Sequence, residues 1–214
     1  MAHTRIKICG ITRMQDAIAV RDSGCDLMGL VFWPGSPRYV TERHASELVA
    51  AVSPDLETVG VFVDAGPDEI AAVARSTGIT AAQLHGVIRP GPWAELGKEI
   101  RLIRAIPVDS RPADPSLQID AIDDYLFDHG GSGLHGGTGR TFDWSLIEGA
   151  RSWGRVWLAG GIHPGNVPDA IAQVRPYAID VSSGVETAPG IKSPERIAAL
   201  VHAVRQADAR RTGQ

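Results

Sequence analysis

Short apolar runs alternate with segments of helical spacing eight times along this chain, and this alternation constrains the fold more than any other feature. Several runs are rich in Val and Ile, as expected for strands buried on both faces of a parallel sheet. The predicted strands are Ile6 to Cys9, Leu27 to Trp33, Val59 to Val63, Ala82 to His85, Arg101 to Ile106, Tyr125 to Phe127, Val156 to Ala159 and Ala178 to Val181.

Helical spacing and start signals place helices between these strands. Thr41, Asp143 and Ser193 each precede a periodic segment and are typical residues at a helix start. The clearest predicted helices are Glu42 to Val52, Asp68 to Ser76, Trp144 to Trp153, Val167 to Val174 and Pro194 to Ala207. The segment Asp114 to Asp123 is the weakest helix of the series.

Eight strand-helix units in 214 residues predict one α/β domain, a (β/α)8 barrel, over residues 1–207. A doubly wound open sheet is the alternative. The first strand-helix turn lacks the Gly-x-Gly-x-x-Gly pattern that a dinucleotide-binding open sheet would normally show. Residues 208–214 are polar, and we expect a frayed tail there.

Composition excludes several classes of protein. The formal net charge is -4, and no Lys/Arg cluster is present, so nucleic acid is not an expected partner. The apolar runs are too short to span a membrane, and the first residues carry no signal-peptide apolar region. We therefore expect a cytoplasmic protein that does not bind membranes.

A thiol and a carboxyl stand at the ends of two predicted strands. Cys9 ends the first strand and Asp128 directly follows the sixth. Because side chains at the carboxyl ends of barrel strands converge on one mouth, these two groups are predicted to face each other as a general base and a general acid. Cys25 follows Gly24 and is interpreted as a small buried residue.

The loops after strands seven and eight are rich in glycine and serine. Gly160 and Gly161 follow strand seven, and Ser183 and Gly184 follow strand eight. Glycine lets backbone N–H groups approach an anion, and these two loops often hold phosphate in such barrels. The pattern predicts a phosphate site, and a sugar phosphate is the expected substrate.

A third glycine-rich stretch, residues 130–140, follows Asp128 and is predicted to close over the mouth. A plain surface loop is the alternative. His129 and His135 lie in or beside it, but no third ligand has matching spacing, so no metal is expected.

Polar side chains near the same mouth are candidate substrate ligands. Arg38 lies in the loop after strand two and could bind a carboxylate in a bidentate manner, or pair with the neighbouring helix. His85 ends strand four and could orient substrate or satisfy a buried hydrogen bond. Asp180, in strand eight, completes the candidate substrate-binding set.

Five segments together resemble phosphoribosylanthranilate isomerase of tryptophan biosynthesis. They are Lys7 to Thr12, Gly29 to Val40, Gln83 to Gly86, Gly136 to Trp144 and Asp180 to Glu186. The likeness runs from Ile6 to about Lys192 and implies a barrel of the ribulose-phosphate-binding type. Trp33, His129 and residues 162–166 depart from the family pattern without touching the proposed acid, base or carboxylate ligand.

The resemblance implies an Amadori rearrangement of N-(5-phosphoribosyl)anthranilate without cofactor or metal. By similarity, Asp128 protonates the ribose ring oxygen and Cys9 removes the proton from C2 of the sugar. Arg38 would bind the anthranilate carboxylate, and Gly160, Gly161, Ser183 and Gly184 would hold the phosphate. Cys9 must then act as a thiolate and Asp128 as a protonated acid, which requires an Asp128 more buried than a surface aspartate.

Two other functions compete with this one. The histidine-pathway aminoaldose isomerase, or a bifunctional relative, performs the same rearrangement but is similar to a pattern with carboxylates at both catalytic positions, which Cys9 does not match. A catalytically inactive sugar-phosphate-binding barrel is the second alternative, against which the complete set of Cys9, Asp128 and Arg38 counts. Indole-glycerol-phosphate synthase would need a lysine-centred site, and the predicted strand ends offer none. Both a monomer and a homodimer remain open.

Overall fold

Eight parallel strands pair in chain order and close into a barrel. The computed structural model describes residues 3–88, 91–109, 114, 119, 121–129 and 141–212. The strands are β1 Arg5–Cys9, β2 Leu27–Val31, β3 Glu57–Val63, β4 Ala81–His85, β5 Arg101–Val108, β6 Asp124–His129, β7 Arg155–Leu158 and β8 Ala178–Val181. Because β8 pairs with β1, the predicted (β/α)8 barrel is confirmed and the open sheet is excluded.

Six α-helices lie among the described residues: α1 Met14–Asp22, α2 Glu42–Val52, α3 Pro67–Thr77, α4 Trp93–Glu99, α5 Val167–Val174 and α6 Pro194–Thr212. The bounds of α2 and α5 are those that the sequence predicts. Thr41 caps α2 by accepting a hydrogen bond from the His44 backbone N–H. Within the described ranges, no helix has both the length and the apolar character needed to cross a membrane.

The prediction of a helix over Trp144 to Trp153 is wrong. Two short 3₁₀ turns, Trp144–Ile147 and Ala150–Ser152, occupy this segment. Gly149 lies between them, and glycine is among the least favourable residues in a helix interior. The weak helix expected at Asp114 to Asp123 lies mostly outside the described residues.

The frayed tail expected from residue 208 is also corrected. Helix α6 continues to Thr212. The Asp208 carboxylate is buried and accepts hydrogen bonds from the backbone N–H and the hydroxyl of Thr4, at 2.7 and 2.8 Å. This long-range contact fixes a polar segment that sequence composition alone assigns to a mobile end.

A small antiparallel hairpin that the sequence did not predict follows β8. Its strands are β9 Glu186–Ala188 and β10 Ile191–Lys192. A 3₁₀ turn over Ser183–Val185 links the hairpin to β8. The hairpin lies at the mouth of the barrel because β8 ends there.

Two hydrophobic clusters pack on the two faces of the sheet. The larger cluster lies between the strands and the helices. The smaller one fills the barrel interior and contains Leu27, Val59, Ala81, Ile103, Ala105, Leu126, Trp157, Ala159 and Ala178. Both faces of the strands are therefore buried, which explains their continuous apolar character.

Charged side chains close the amino end of the barrel beneath this interior cluster. Asp124 is 1% exposed and accepts hydrogen bonds from Trp157 Nε1 at 2.7 Å, Arg101 Nε at 3.0 Å and Arg155 Nη2 at 2.6 Å. Arg101 also donates to Glu57 and to the Tyr177 hydroxyl. Each polar group in this layer thus has a strong partner, which stabilises the closed end.

We predict that Asp124→Ala lowers the free energy of unfolding by about 2–3 kcal/mol, because it leaves several charged or buried donors without their acceptor. Urea unfolding at neutral pH measures the change. Asp22→Ala is the matched control, since Asp22 is exposed and pairs with Arg21 at the surface, where such a pair contributes about 0–1 kcal/mol. Equal losses in the two variants would contradict the role given to Asp124.

Candidate active site

A cleft with about 900 Å³ of space, open to solvent, lies at the carboxyl end of the strands. The nine residues that the sequence analysis proposed for the site all line this cleft: Cys9, Arg38, His85, Asp128, Gly160, Gly161, Asp180, Ser183 and Gly184. They come from six of the eight strands or from the loops that directly follow them. The size suits a small phosphorylated substrate.

Cys9 is the last residue of β1 and is partly exposed to the cleft. It pairs in register with Gly29 of β2. A Cβ atom at Gly29 would lie 2.8 Å from the Cys9 sulfur and 3.1 Å from Cε of Lys7. Glycine is therefore needed at position 29 to leave room for both side chains.

A chain of buried polar groups crosses the barrel directly below the cleft. The Lys7 ammonium donates to Gln83 Oε1 at 2.7 Å and to Asp180 Oδ2 at 3.0 Å. Gln83 in turn contacts the His85 ring nitrogen Nε2 at 2.7 Å. His85 therefore forms a partly buried hydrogen bond with Gln83 and also lines the cleft, so both roles that the sequence suggested for it remain possible on geometry.

Asp128 lies near the end of β6, partly buried, in agreement with the expectation that it is less exposed than a surface aspartate. Its Oδ1 accepts a hydrogen bond from the His129 backbone N–H at 2.7 Å. Burial first, and the nearby Asp180 carboxylate second, raise the pKa of Asp128 to about 6. A much larger share of this carboxyl is protonated near neutral pH than of an ordinary aspartate.

Gly160 supports the position of Asp128. Its φ angle is +80°, in the region that favours glycine, and an added Cβ would lie 2.9 Å from Asp128 Oδ1. The added atom would also lie 2.7 Å from the His129 nitrogen. The loop after β7 can approach the acid this closely only because residue 160 lacks a side chain.

The electrostatics of Cys9 run against thiolate formation in the absence of substrate. Burial is the largest influence and raises the pKa of the thiol, whereas the Lys7 ammonium lowers it and Asp180 raises it. The net direction is upward. In the free protein, only a small fraction of Cys9 is therefore in the reactive thiolate form at neutral pH.

Arg38 is held by a carboxylate that the sequence did not single out. Its Nε and Nη2 donate to the two oxygens of Glu186 at 2.9 and 2.6 Å. Glu186 also accepts from the buried Lys192 ammonium at 2.6 Å, and that ammonium donates to the Cys9 carbonyl at 2.5 Å. The bidentate contact uses one edge of the guanidinium and leaves the Nη1–Nη2 edge for a second carboxylate.

The two phosphate-loop candidates are in direct contact. Gly160 and Gly161 have φ angles of +80° and +64°. A Cβ at Gly184 would clash with the Ile162 carbonyl oxygen, so the loop after β8 packs backbone against backbone on the loop after β7. Asn166 stabilises the first loop by donating to the Gly161 carbonyl at 2.9 Å.

Sequence reasoning missed Lys7, Glu186 and Lys192 as parts of the site. A usable signal existed for Lys7, because it stands two residues before Cys9 and so shares its face of the strand. Glu186 and Lys192 belong to the unpredicted hairpin, and no local pattern indicates that they meet Arg38. The predicted closing loop, residues 130–140, and with it His135, lies outside the described residues.

Cys25 is buried, as predicted, and lies away from the cleft. It is 8% exposed, and burial raises the pKa of its thiol to about 12. The two thiols can therefore be distinguished experimentally, because only Cys9 lines the cleft.

Comparison with known proteins points to one family. Residues 6–203 match the family model of N-(5'-phosphoribosyl)anthranilate (PRA) isomerase. The N-(5'-phosphoribosyl)anthranilate isomerase of Citrifermentans bemidjiense is 39% identical over 198 residues, covering 92% of this chain and 95% of that protein. Among crystal structures, phosphoribosyl anthranilate isomerase from Thermus thermophilus matches with a TM-score of 0.85 and 36% identity, over 95% of this chain and 99% of that one. A phosphoribosyl anthranilate isomerase in complex with reduced 1-(o-carboxyphenylamino)-1-deoxyribulose 5-phosphate matches with a TM-score of 0.79 and 35% identity, again over 95% and 99%.

We predict that Asp128→Asn becomes progressively more stable than the parent protein as the pH rises from about 4 to about 6. The raised pKa means that folding favours the neutral carboxyl, so its contribution is present below the unfolded-state pKa and is lost as the pH passes the folded-state value of about 6. The difference should reach about 1–2 kcal/mol after allowance for partial exposure. Urea unfolding of both proteins across this range measures it, and a difference that does not change with pH would contradict the raised pKa.

Proposed function

The chain belongs to the N-(5'-phosphoribosyl)anthranilate isomerase family, and we propose that Cys9 is its general base and Asp128 its general acid. The protein is an isomerase of tryptophan biosynthesis. It converts N-(5-phosphoribosyl)anthranilate into 1-(2-carboxyphenylamino)-1-deoxyribulose 5-phosphate by an Amadori rearrangement. The observation that carries the residue assignment is the presence of Cys9 and Asp128 on one cleft, at the ends of strands that are distant in sequence.

Asp128 acts first, by donating its proton to the ribose ring oxygen. The bond from C1 to that oxygen breaks, and the anthranilate nitrogen supplies an electron pair to form a Schiff base with C1. A pKa of about 6 supports this role, because a useful fraction of the carboxyl holds its proton near neutral pH.

Cys9 acts second, by accepting the proton from C2 of the opened sugar. The electrons of that C–H bond form a double bond between C1 and C2, and those of the Schiff base return to the nitrogen. The resulting enolamine then tautomerises to the ketone. The Schiff-base nitrogen makes the C2 proton more acidic, so a small thiolate fraction suffices for the step.

Arg38 binds the anthranilate carboxylate through its Nη1–Nη2 edge, while Glu186 holds the opposite edge. A guanidinium fixed in this way loses little additional side-chain freedom when it binds substrate. The Asp180 Oδ1 atom is buried and has no hydrogen-bond partner among the described residues, which suits an acceptor for a sugar hydroxyl. His85 contacts the substrate from the β4 side of the cleft.

The phosphate binds between the loops after β7 and β8. Gly160, Gly161, Ser183 and Gly184 present backbone N–H groups and one hydroxyl to this part of the cleft. The positive φ angles of the two glycines after β7 support this role, because they allow close approach of an anion to the backbone.

The substrate is a small molecule that carries a carboxylate and a phosphate, and these two charged groups fit the Arg38 end and the glycine-rich end of the cleft. We place the protein in the cytoplasm, because a doubly charged intermediate is consumed in the compartment where it is made. Both a monomer and a homodimer remain compatible with the fold.

We predict that Asp128→Asn and Cys9→Ala each lower kcat by about 10²–10⁴-fold, because each removes one proton-transfer group. The measurement is the fall in fluorescence of phosphoribosylanthranilate generated in situ. Cys25→Ala is the matched control for the thiol and should keep the parent rate, because Cys25 lies outside the cleft.

Cys9→Ser makes the test of the base more stringent, since it keeps a hydroxyl of similar size that is far less acidic than a thiol. An unchanged rate in Cys9→Ser would overturn the assignment of the base. A parent protein without turnover would direct attention to the histidine-pathway substrate and then to a pure binding function.

We predict that Arg38→Met raises KM for phosphoribosylanthranilate by about 10- to 100-fold through loss of a charged, bidentate contact. The same variant should show nearly the parent KM with a phosphoribosylated aniline, which lacks the carboxylate. An equal loss with both substrates would mean that Arg38 shapes the loop and does not bind the carboxylate.

A further inference from the structure

Lys7 and Asp180 form an ion pair inside the barrel, below the two proposed catalytic groups. The two residues are register partners on the paired strands β1 and β8. Their side chains are 0% and 7% exposed, and Lys7 Nζ lies 3.0 Å from Asp180 Oδ2. Neither group interacts with the phosphate loops or with Glu186 in the described hydrogen bonds. Replacing such a pair by apolar residues is often neutral or stabilising, so its presence in the barrel interior calls for an explanation other than stability.

We propose that the Lys7–Asp180 pair is a positioning element that favours the thiolate of Cys9 with its ammonium end and the protonated form of Asp128 with its carboxylate end. The proposal rests on the proposed function, since it takes Cys9 as base and Asp128 as acid. The Lys7 side chain does not line the cleft, so it acts on Cys9 without contacting the substrate.

The location of the ammonium supports the first half of this proposal. Lys7 precedes Cys9 by two residues, so both side chains point to the barrel interior, and Gly29 on the next strand leaves space for both. The ammonium donates its hydrogen bonds to Gln83 and Asp180 and interacts electrostatically with the Cys9 sulfur. A cation in this position stabilises a sulfur anion more than a neutral thiol.

The carboxylate end supports the second half. Asp180 and Asp128 line the same cleft, and the proximity of two carboxylates favours the neutral form of one of them. Asp180 raises the pKa of Asp128 more than Lys7 lowers it. At Cys9 the order is reversed, because Lys7 lowers the pKa of the thiol more than Asp180 raises it. One pair thus acts in opposite directions on the base and the acid.

Other charged groups also face Cys9, but each has its own partner. Lys192, from β10, lowers the pKa of the thiol and is paired with Glu186. Arg38, from the loop after β2, interacts with Cys9 and is paired with the same Glu186. Neither Lys192 nor Arg38 influences Asp128, so among the described residues the Lys7–Asp180 pair is the charged pair that acts on both catalytic groups.

The pair matters because the reactive protonation state is a minor one. The pKa of the base is above that of the acid, so the reactive form, with a Cys9 thiolate and a protonated Asp128, is a minor one. As the pH increases, kcat/KM should rise up to the pKa of Asp128, stay constant between the two pKa values, and fall above the pKa of Cys9. The height of the plateau falls about tenfold for each unit added to the difference between the two pKa values. By narrowing this difference, the Lys7–Asp180 pair increases the reactive fraction.

The first test measures Cys9 alone and needs no turnover. The rate of alkylation by iodoacetamide is followed against pH in a Cys25→Ala background, with and without Lys7→Met. We expect the inflection for Lys7→Met to move upward by about one unit, so that alkylation below the inflection slows about tenfold. An unmoved inflection in a folded variant, judged by circular dichroism, would overturn the proposal.

The second test removes the pair as a unit with Lys7→Met/Asp180→Asn, which leaves no unpaired buried charge and retains an oxygen acceptor at residue 180. We expect the ascending limb of the kcat/KM profile to move to lower pH and the descending limb to move to higher pH. The value of kcat/KM on the plateau between them should fall about tenfold. If kcat/KM falls but both limbs stay at the same pH, the pair has a purely structural role and the proposal is overturned.

The two tests separate this proposal from the proposed function. If the parent protein lacks turnover, or if Cys9→Ser retains it, the assignment of the base fails while the alkylation profile still decides whether Lys7 controls the thiol. If the parent is active and the limbs do not move, the isomerase assignment stands and only the role of the pair is lost.

Discussion

The parallel pairing of β8 with β1 is the contact on which the rest of the structure depends. It closes the sheet and brings Lys7 beside Asp180 in register. Closure also brings the ends of β1, β4, β6 and β8 around one cleft, so Cys9 and Asp128 line the same space although more than a hundred residues separate them. An open sheet made of the same strands would place the first and last strands at opposite edges, and no shared site would form.

Most of the fold could be predicted because each strand carries its own evidence. A short apolar run bounded by turn residues is buried on both faces in a parallel barrel, and helices α2 and α5 show the expected periodicity and start residues. The failures lie where tertiary contacts decide. Trp144 to Trp153 has helical spacing but forms 3₁₀ turns around Gly149, and the polar end of α6 is ordered by the bond between Asp208 and Thr4, which joins opposite ends of the chain.

In the active site, too, residues with a local sequence signal were predicted, whereas residues placed by tertiary contacts were not. Strand ends and the loops that follow strands indicated eight of the nine candidate residues, because closure of a barrel brings such positions together, and the family resemblance supplied Asp180. The charged residues that support them were not found. A charged residue in a strand or loop can be assigned to a buried pair only once its partner is known. The partners of Lys7 and Arg38 lie 173 and 148 residues further along the chain, and Lys192 meets the same Glu186 inside a hairpin that the sequence did not predict.

The two ends of the barrel use buried charge differently. At the amino end, the Asp124 carboxylate is fully satisfied by Arg101, Arg155 and Trp157, as expected for a layer that stabilises the fold. At the mouth, Asp180 Oδ1 has no hydrogen-bond partner among the described residues, and burial holds the pKa of Asp128 near 6. Such groups are costly in the free protein and become satisfied only when a ligand supplies the missing donors. The same unsatisfied groups allow the mouth to bind a polar substrate and to move its protons.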